Sequence, residues 1–161
     1  MAINFNKITA KVDIILNFFI VIFFSILIFS CVLQVFTRYV LNSAFTWTEE
    51  LARYSFIWTN LLGAVLCVKR KCHATVTAIT DKLSNKKLIK IQIFVQVVIL
   101  MISVVLLIYG IEVTLKTVSQ TSAAMKVSMS LINASVPVSS FFMILYTIDN
   151  IVQLSSKKVV Q

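Results

Sequence analysis

The chain has 161 residues, of which 59% are hydrophobic and 13% are charged, and its formal net charge is +9. Soluble domains contain about 45–50% apolar and about 25% charged residues, so this composition excludes an ordinary soluble fold and indicates a membrane protein. With two glycines and one proline, the chain has no room for a flexible linker or a glycine-rich phosphate loop. We therefore expect a single membrane domain over residues 1–161.

Four charge-free runs predict the secondary structure in chain order. Ile14–Thr37, Ile91–Ile111 and Val127–Ile148 each exceed the roughly 20 helical residues that cross a hydrocarbon core of about 30 Å. Tyr54–Val68 reaches that length only if its helix begins near Trp47. Lipid leaves unpaired backbone groups without partners, and no barrel-like alternation is present. The predicted fold is an all-α integral membrane bundle of four transmembrane helices, at approximately 12–37, 47–68, 88–112 and 129–152.

Two segments between the predicted spans have patterns of their own. Val76, Ile79 and Leu83 recur at i, i+3 and i+7, which is typical of a short interfacial helix, here over residues 72–85. Residues 114–126 are rich in serine and threonine and predict a short polar helix or a loop.

The lysines and arginines are unevenly distributed about these spans. Eleven of the fifteen lie near the two termini or in the 69–90 segment, whereas Arg38, Arg53, Lys116 and Lys126 lie on the other side. The positive-inside rule therefore predicts that both termini are cytoplasmic. We expect a basic patch to meet anionic lipid headgroups, formed by Lys69, Arg70, Lys71, Lys86 and Lys87. Because the basic residues flank membrane spans, a nucleic-acid partner is not expected.

The sequence does not favour a redox or catalytic centre. Its three cysteines form no C-x-x-C pair, and His73 is its single histidine. A membrane haem commonly needs two axial ligands and a tetrahedral metal site needs three or four, so we expect no cofactor, no metal site and no catalytic residue. None of the six acidic residues lies in the middle of a predicted span, where a coupled carrier commonly keeps an ionisable group.

The stretch Phe45–Gly63, FTWTEELARYSFIWTNLLG, concentrates polar residues at the start of the second span. Thr46 to Glu49 has the form of a capping box, and Glu49 and Glu50 would lie in the first turn, where the helix dipole favours negative charge. Arg53 follows at i+4 and i+3, so we expect these three residues to form one network. Helix capping and anchoring, recognition of a partner and contact with a transported substrate all remain possible roles.

The order and spacing of these residues are similar to those of a known family. Arg38 precedes a tyrosine, Trp47 opens a W-x-E-E-x-x-R segment, and the pattern continues through Trp58, Gly63, the basic patch ending at His73, and Pro137 near the start of the last span. Over about residues 12–151 this pattern resembles the small membrane subunit of TRAP (tripartite ATP-independent periplasmic) transporters, the DctQ-like family.

The resemblance implies a non-catalytic subunit of the bacterial inner membrane. Such a subunit docks against a large multi-span subunit that carries the substrate and sodium sites and moves as an elevator. A periplasmic binding protein delivers an organic acid, such as sialic acid or a C4-dicarboxylate. The residues expected to serve the partner interface or the structural motif are Arg38, Trp47, Glu49, Glu50, Arg53, Trp58, Gly63, His73 and Pro137. The alternatives are a self-contained homo-oligomeric carrier or channel, and a membrane anchor for a redox enzyme.

Overall fold

The computed structural model describes residues 2–43, 45–70 and 85–159, with the side chains of 12–43, 45–70 and 89–154. Its helices are α1 (Ala2–Tyr39), α2 (Thr46–Lys69), α3 (Asn85–Lys116), α4 (Met129–Asn133) and α5 (Ser135–Val159). The interfacial helix expected over 72–85 falls almost wholly outside the described residues, as do Lys71 and His73.

Four segments are long and apolar enough to cross a membrane: Val12–Tyr39, Thr46–Lys69, Ile89–Lys116 and Met129–Leu154. The last of them joins α4 and α5. Within the described ranges, extended structure is limited to an isolated bridge between Thr121 and Ser128. The prediction of an all-α chain with four transmembrane helices is confirmed.

Helix α1 ends in a turn that its sequence favours. The amide of Val40 donates to the Phe36 carbonyl at 2.8 Å, and the amide of Ser43 donates to the Thr37 carbonyl at 3.2 Å. Asn42 lies between them with φ of 49°. This left-handed conformation strains most side chains but is tolerated by asparagine, so the chain leaves α1 through a Schellman-like cap.

The described chain divides into two compact units. One comprises residues 1–63 and 114–135, and the other comprises residues 64–113 and 136–161. In the first unit, the Trp58 ring stacks on the Phe23 ring at 5.3 Å between centroids. In the second unit, the Asn150 amide donates to the Val68 carbonyl at 2.9 Å, and the Lys69 ammonium lies 5.5 Å from the centroid of the Tyr146 ring.

Small and polar side chains are buried in every long helix, whereas the exposed residues include many large apolar side chains. Several buried positions recur at intervals of seven residues or multiples of seven. They are Leu16, Ser30 and Thr37 in α1; Thr48, Ser55 and Leu62 in α2; Gln96, Ser103 and Gly110 in α3; and Ser140, Thr147 and Leu154 in α5. Eight of these twelve positions hold glycine, serine or threonine, and small residues of this kind let membrane helices pack closely.

Gly110 is the tightest of these positions. A Cβ atom placed there would lie 3.0 Å from Val136 Cγ1, 3.1 Å from Pro137 Cδ and 3.2 Å from Pro137 N. Pro137 is the third residue of α5, where its missing amide proton costs no helical hydrogen bond. The absence of a side chain at Gly110 therefore lets α3 approach the first turn of α5.

We predict that Gly110→Val lowers the free energy of unfolding by about 1–3 kcal/mol, because its methyl groups would overpack against Pro137. Gly63→Ala is the control, since nothing lies within 4 Å of a Cβ at that position. It should raise stability by about 0.5–1 kcal/mol through helix propensity. Thermal unfolding of the detergent-solubilised variants measures both effects. Equal melting temperatures for Gly110→Val and the wild type would contradict the close contact.

Candidate functional site

Helix α2 begins where the sequence predicted, but it is capped differently. The Phe45 carbonyl accepts hydrogen bonds from the Thr48 amide at 3.2 Å and from the Thr48 hydroxyl at 2.7 Å. Thr48 is fully buried. The Phe45 ring stacks on the ring of Trp47 with centroids 6.3 Å apart. Thr48 therefore caps the first turn through the Phe45 carbonyl, and the Glu49 carboxylate contacts Arg53 instead.

Glu49 and Arg53 form an ion pair on the outside of α2. Arg53 Nη2 donates to Glu49 Oε1 at 2.9 Å, and both side chains are more than 60% exposed. Their i, i+4 spacing predicted this contact. Because both partners belong to α2, this ion pair does not join the helix to another element of the chain. The pair is therefore better suited to presenting charge at the surface than to holding the helix in place.

Glu50 does not join that pair, although the sequence suggested a single network. Its Oε1 accepts the amide proton of Ala124, and its Oε2 accepts the amide proton of Met125, each at 3.0 Å. Consecutive backbone amides of this kind form a small anion-binding concavity. Because hydrogen bonds to a charged acceptor are stronger than neutral ones, the carboxylate ties α2 to the segment that follows α3.

That segment, the α3–α4 loop (residues 117–128), has an internal structure that presents its amides to Glu50. The Ser122 amide donates to the Val127 carbonyl at 2.9 Å, and the Met129 amide donates to the Gln120 carbonyl at 2.9 Å. Lys126 turns the chain with φ of 54°. Of the segment 114–126, predicted as a short polar helix or a loop, residues 114–116 end α3 and the rest is a loop closed by backbone hydrogen bonds.

Two side-chain contacts extend this attachment into α4. The Tyr54 hydroxyl, one turn beyond Glu50, donates to Met129 Sδ at 3.9 Å. The Asn133 amide donates to the Thr117 hydroxyl at 2.9 Å. Glu50 and Tyr54 therefore lie on the side of α2 that contacts the α3–α4 loop and α4. The sequence signalled this only indirectly, since one carboxylate suffices to favour a helix start and two are present.

A second line of residues on α2 is exposed or borders open space. Glu49, Arg53, Phe56, Asn60 and Gly63 recur at spacings of four and three residues; we call them the open face of α2. Phe56 is 54% exposed and Asn60 is also exposed. Gly63 borders empty space. Three residues of the open face, Glu49, Arg53 and Gly63, were predicted as interface residues. The structure adds Phe56 and Asn60 to them.

The remaining predicted residues lie apart from this face. Arg38 is exposed in the last turn of α1, and Trp58 packs on Phe23. Pro137 packs at Gly110. In the basic patch, Lys69 ends α2 beside Tyr146, Arg70 follows in a turn, and Lys86 and Lys87 lie in the first turn of α3. Within the described residues, no group of three or more His, Cys, Asp or Glu side chains could hold a metal ion.

Comparison with known proteins identifies the family. Residues 27–157 match the model of the DctQ component of tripartite ATP-independent periplasmic transporters. The chain belongs to the DctQ family. It is therefore a small permease subunit of a TRAP transporter, and the match includes all of α2 and the α3–α4 loop.

Curated relatives of this DctQ chain carry related names. The sialic acid TRAP transporter small permease protein of Vibrio cholerae is 28% identical over 121 residues, covering 75% of this chain and 70% of that protein. A putative TRAP transporter small permease protein of Haemophilus influenzae is 27% identical over 143 residues, covering 86% of this chain and 84% of that protein. Another match to a protein of that description in the same species is 48% identical over 59 residues, covering 37% of this chain and 35% of that protein.

We predict that Glu50→Gln loosens the α3–α4 loop without unfolding the helices. The glutamine side chain keeps one acceptor oxygen, but its NH₂ group would face a backbone N–H, so one of the two hydrogen bonds to the loop is lost. Hydrogen exchange at the Ala124 and Met125 amides should become about tenfold faster, the change expected for loss of a charge-assisted hydrogen bond.

Glu49→Gln is the matched control for this exchange measurement. It removes a neighbouring charge that contacts Arg53 and not the loop, so the two loop amides should exchange as in the wild type. Equal exchange at Ala124 and Met125 in the Glu50→Gln variant and the wild type would show that Glu50 does not hold the loop.

Proposed function

We propose that the chain is the non-catalytic small subunit of a sodium-coupled TRAP transporter. It braces the immobile scaffold of a large elevator-type membrane subunit during uptake of an organic acid of the sialic acid or C4-dicarboxylate class. A periplasmic binding protein supplies the substrate to the large subunit. The observation that carries this proposal is family membership together with a helix, α2, that displays polar groups to its surroundings.

The positions of the acidic residues support a role outside the coupling chemistry. Asp13, Glu49, Glu50, Glu112 and Asp149 all lie within about six residues of an end of a membrane-crossing segment. Carboxylates that bind a coupling ion or proton typically lie near the middle of the bilayer. Because the described spans contain no mid-span carboxylate, we assign the sodium and substrate sites to the large subunit. We likewise assign no catalytic step to this chain.

We further propose that the chain lies in the bacterial inner membrane with both termini in the cytoplasm. The excess of lysine and arginine near the termini and in the 69–90 segment supports this orientation. Alkaline phosphatase, which is active only after export, should be inactive when fused after Gln161 and active when inserted after Lys126. The opposite pattern of activity would reverse the proposed orientation.

Reconstitution tests the division of labour among the three components. Proteoliposomes holding this chain and the large subunit, supplied with the binding protein and an inward sodium gradient, should accumulate labelled sialic acid or a labelled C4-dicarboxylate. Vesicles with this chain alone should accumulate neither. Arg53→Leu should lower uptake by about tenfold, the scale of a lost charge contact, because its guanidinium contributes to assembly with the large subunit.

The alternative of a homo-oligomeric carrier or channel predicts a different result. Uptake or substrate efflux by this chain alone, at a rate that does not rise when the large subunit is added, would overturn the scaffold role. The alkaline phosphatase fusions described above, together with the orientation of the chain in the vesicles, serve as controls that the chain is inserted in the membrane.

A further inference from the structure

The open face of α2 lies on Thr46–Lys69, a segment long and apolar enough to cross the hydrocarbon region. Asn60 lies about 21 Å along the helix axis from Thr46 and about 14 Å from Lys69, which places it well inside the span. Its side-chain NH₂ donates to the Phe56 carbonyl at 2.9 Å, and its side-chain oxygen accepts no hydrogen bond within the described part of the chain. An amide oxygen in this position would be left unsatisfied by lipid.

The same face carries a charge pair and a gap. Arg53 uses Nη2 to reach Glu49, and the other guanidinium donors have no partner among the described residues. A Cβ at Gly63 would touch nothing within 4 Å. The surface therefore offers donors at Arg53, an acceptor at Asn60 and space at Gly63, in that order along one side of the helix.

The exposed surface of α1 provides a contrast. Ser25 lies among Phe18, Ile22, Phe29 and Val32, all of them large apolar side chains that are more than a third exposed. Such a face is suited to acyl chains. The open face of α2 differs because most of its members are charged, amide-bearing or small, a composition typical of contacts between membrane helices.

Resting on the proposed function, we infer that the open face of α2 is the surface that docks a transmembrane helix of the large subunit. The occupant presents a hydrogen-bond donor, such as a hydroxyl, amide or indole, at the level of Asn60. About 10 Å along the axis, it presents a carboxylate or carbonyl acceptor to Arg53. On the opposite side of Asn60, a bulky apolar side chain fills the space over Gly63.

A second copy of this chain fits the face less well. Two copies with the same membrane orientation would meet about a two-fold axis, which brings each residue close to its own counterpart. Arg53 would then face Arg53 and Glu49 would face Glu49, and like charges across an interface select against association. A different chain can place a complementary group opposite each position.

Co-purification of the large subunit with the tagged chain, both expressed together in native membranes, tests this docking surface. In Asn60→Leu/Gly63→Leu, recovery of the large subunit should fall at least tenfold, because the acceptor is lost and the gap is filled. Ser25→Leu, which makes the same kind of change on the apolar face of α1, should leave recovery unchanged. Thermal unfolding of each chain alone should show that all of them remain folded.

A charge swap supplies a second readout. Glu49→Arg/Arg53→Glu keeps an ion pair within the helix but turns a carboxylate towards the acceptor of the occupant, so recovery of the large subunit should fall. If recovery is unchanged in both the swapped and the Asn60→Leu/Gly63→Leu variants, docking at this face is refuted. It is also refuted if these variants reduce only self-association of the chain.

Failure of docking and failure of the proposed function give different results in this experiment. If the wild-type chain retains no large subunit under conditions that preserve other membrane complexes, the proposed function fails and the docking surface fails with it. If the wild type and every variant retain the large subunit equally, the proposed function stands and only the assignment to the open face of α2 is wrong.

Discussion

The constraint on which this structure depends is that hydrocarbon supplies no hydrogen-bond partners. A polar side chain in a membrane span must therefore find its partner in protein, in its own helix or at the polar edge of the bilayer. Helix α2 contains more charged side chains than the other described spans, and its polar side chains lie on more than one face. Glu50 and Tyr54 contact the α3–α4 loop and α4. Glu49, Arg53 and Asn60 are exposed, and the hydrogen bonds that they make lie within α2 itself.

The same constraint explains the inverted composition of the helices. Large apolar residues such as Phe18, Phe29 and Phe94 are exposed, while small hydroxyl-bearing residues such as Ser30 and Ser103 are buried. Lipid is as apolar as leucine, so burying leucine gains little, and close approach of helices through small residues becomes the main source of cohesion. The contact of Gly110 with Pro137 is the clearest example of this cohesion.

Local sequence was sufficient for the helices and the family, but not for the role of each charged residue. The four spans follow from hydropathy, and the Glu49–Arg53 pair follows from its spacing, because both depend on residues near in sequence. The partners of Glu50 are two amides more than seventy positions away, in a loop whose conformation depends on Lys126 adopting a positive φ. No local pattern specifies that conformation. Likewise, the exposure of Asn60 depends on how the other helices pack around α2, which the residues near Asn60 in sequence do not specify.

Helix α2 contacts its own chain with one face, and we propose that it holds the large subunit with the other. Site-directed photo-crosslinking in native membranes tests this proposal most directly, with Phe56 or Phe94 replaced by a photoreactive phenylalanine analogue. Both side chains are large, aromatic and exposed, on α2 and α3 respectively. We expect the probe at position 56 to yield a covalent adduct with the large subunit and the probe at position 94 to yield adducts with lipid. An adduct with the large subunit from position 94 and none from position 56 would contradict the proposal.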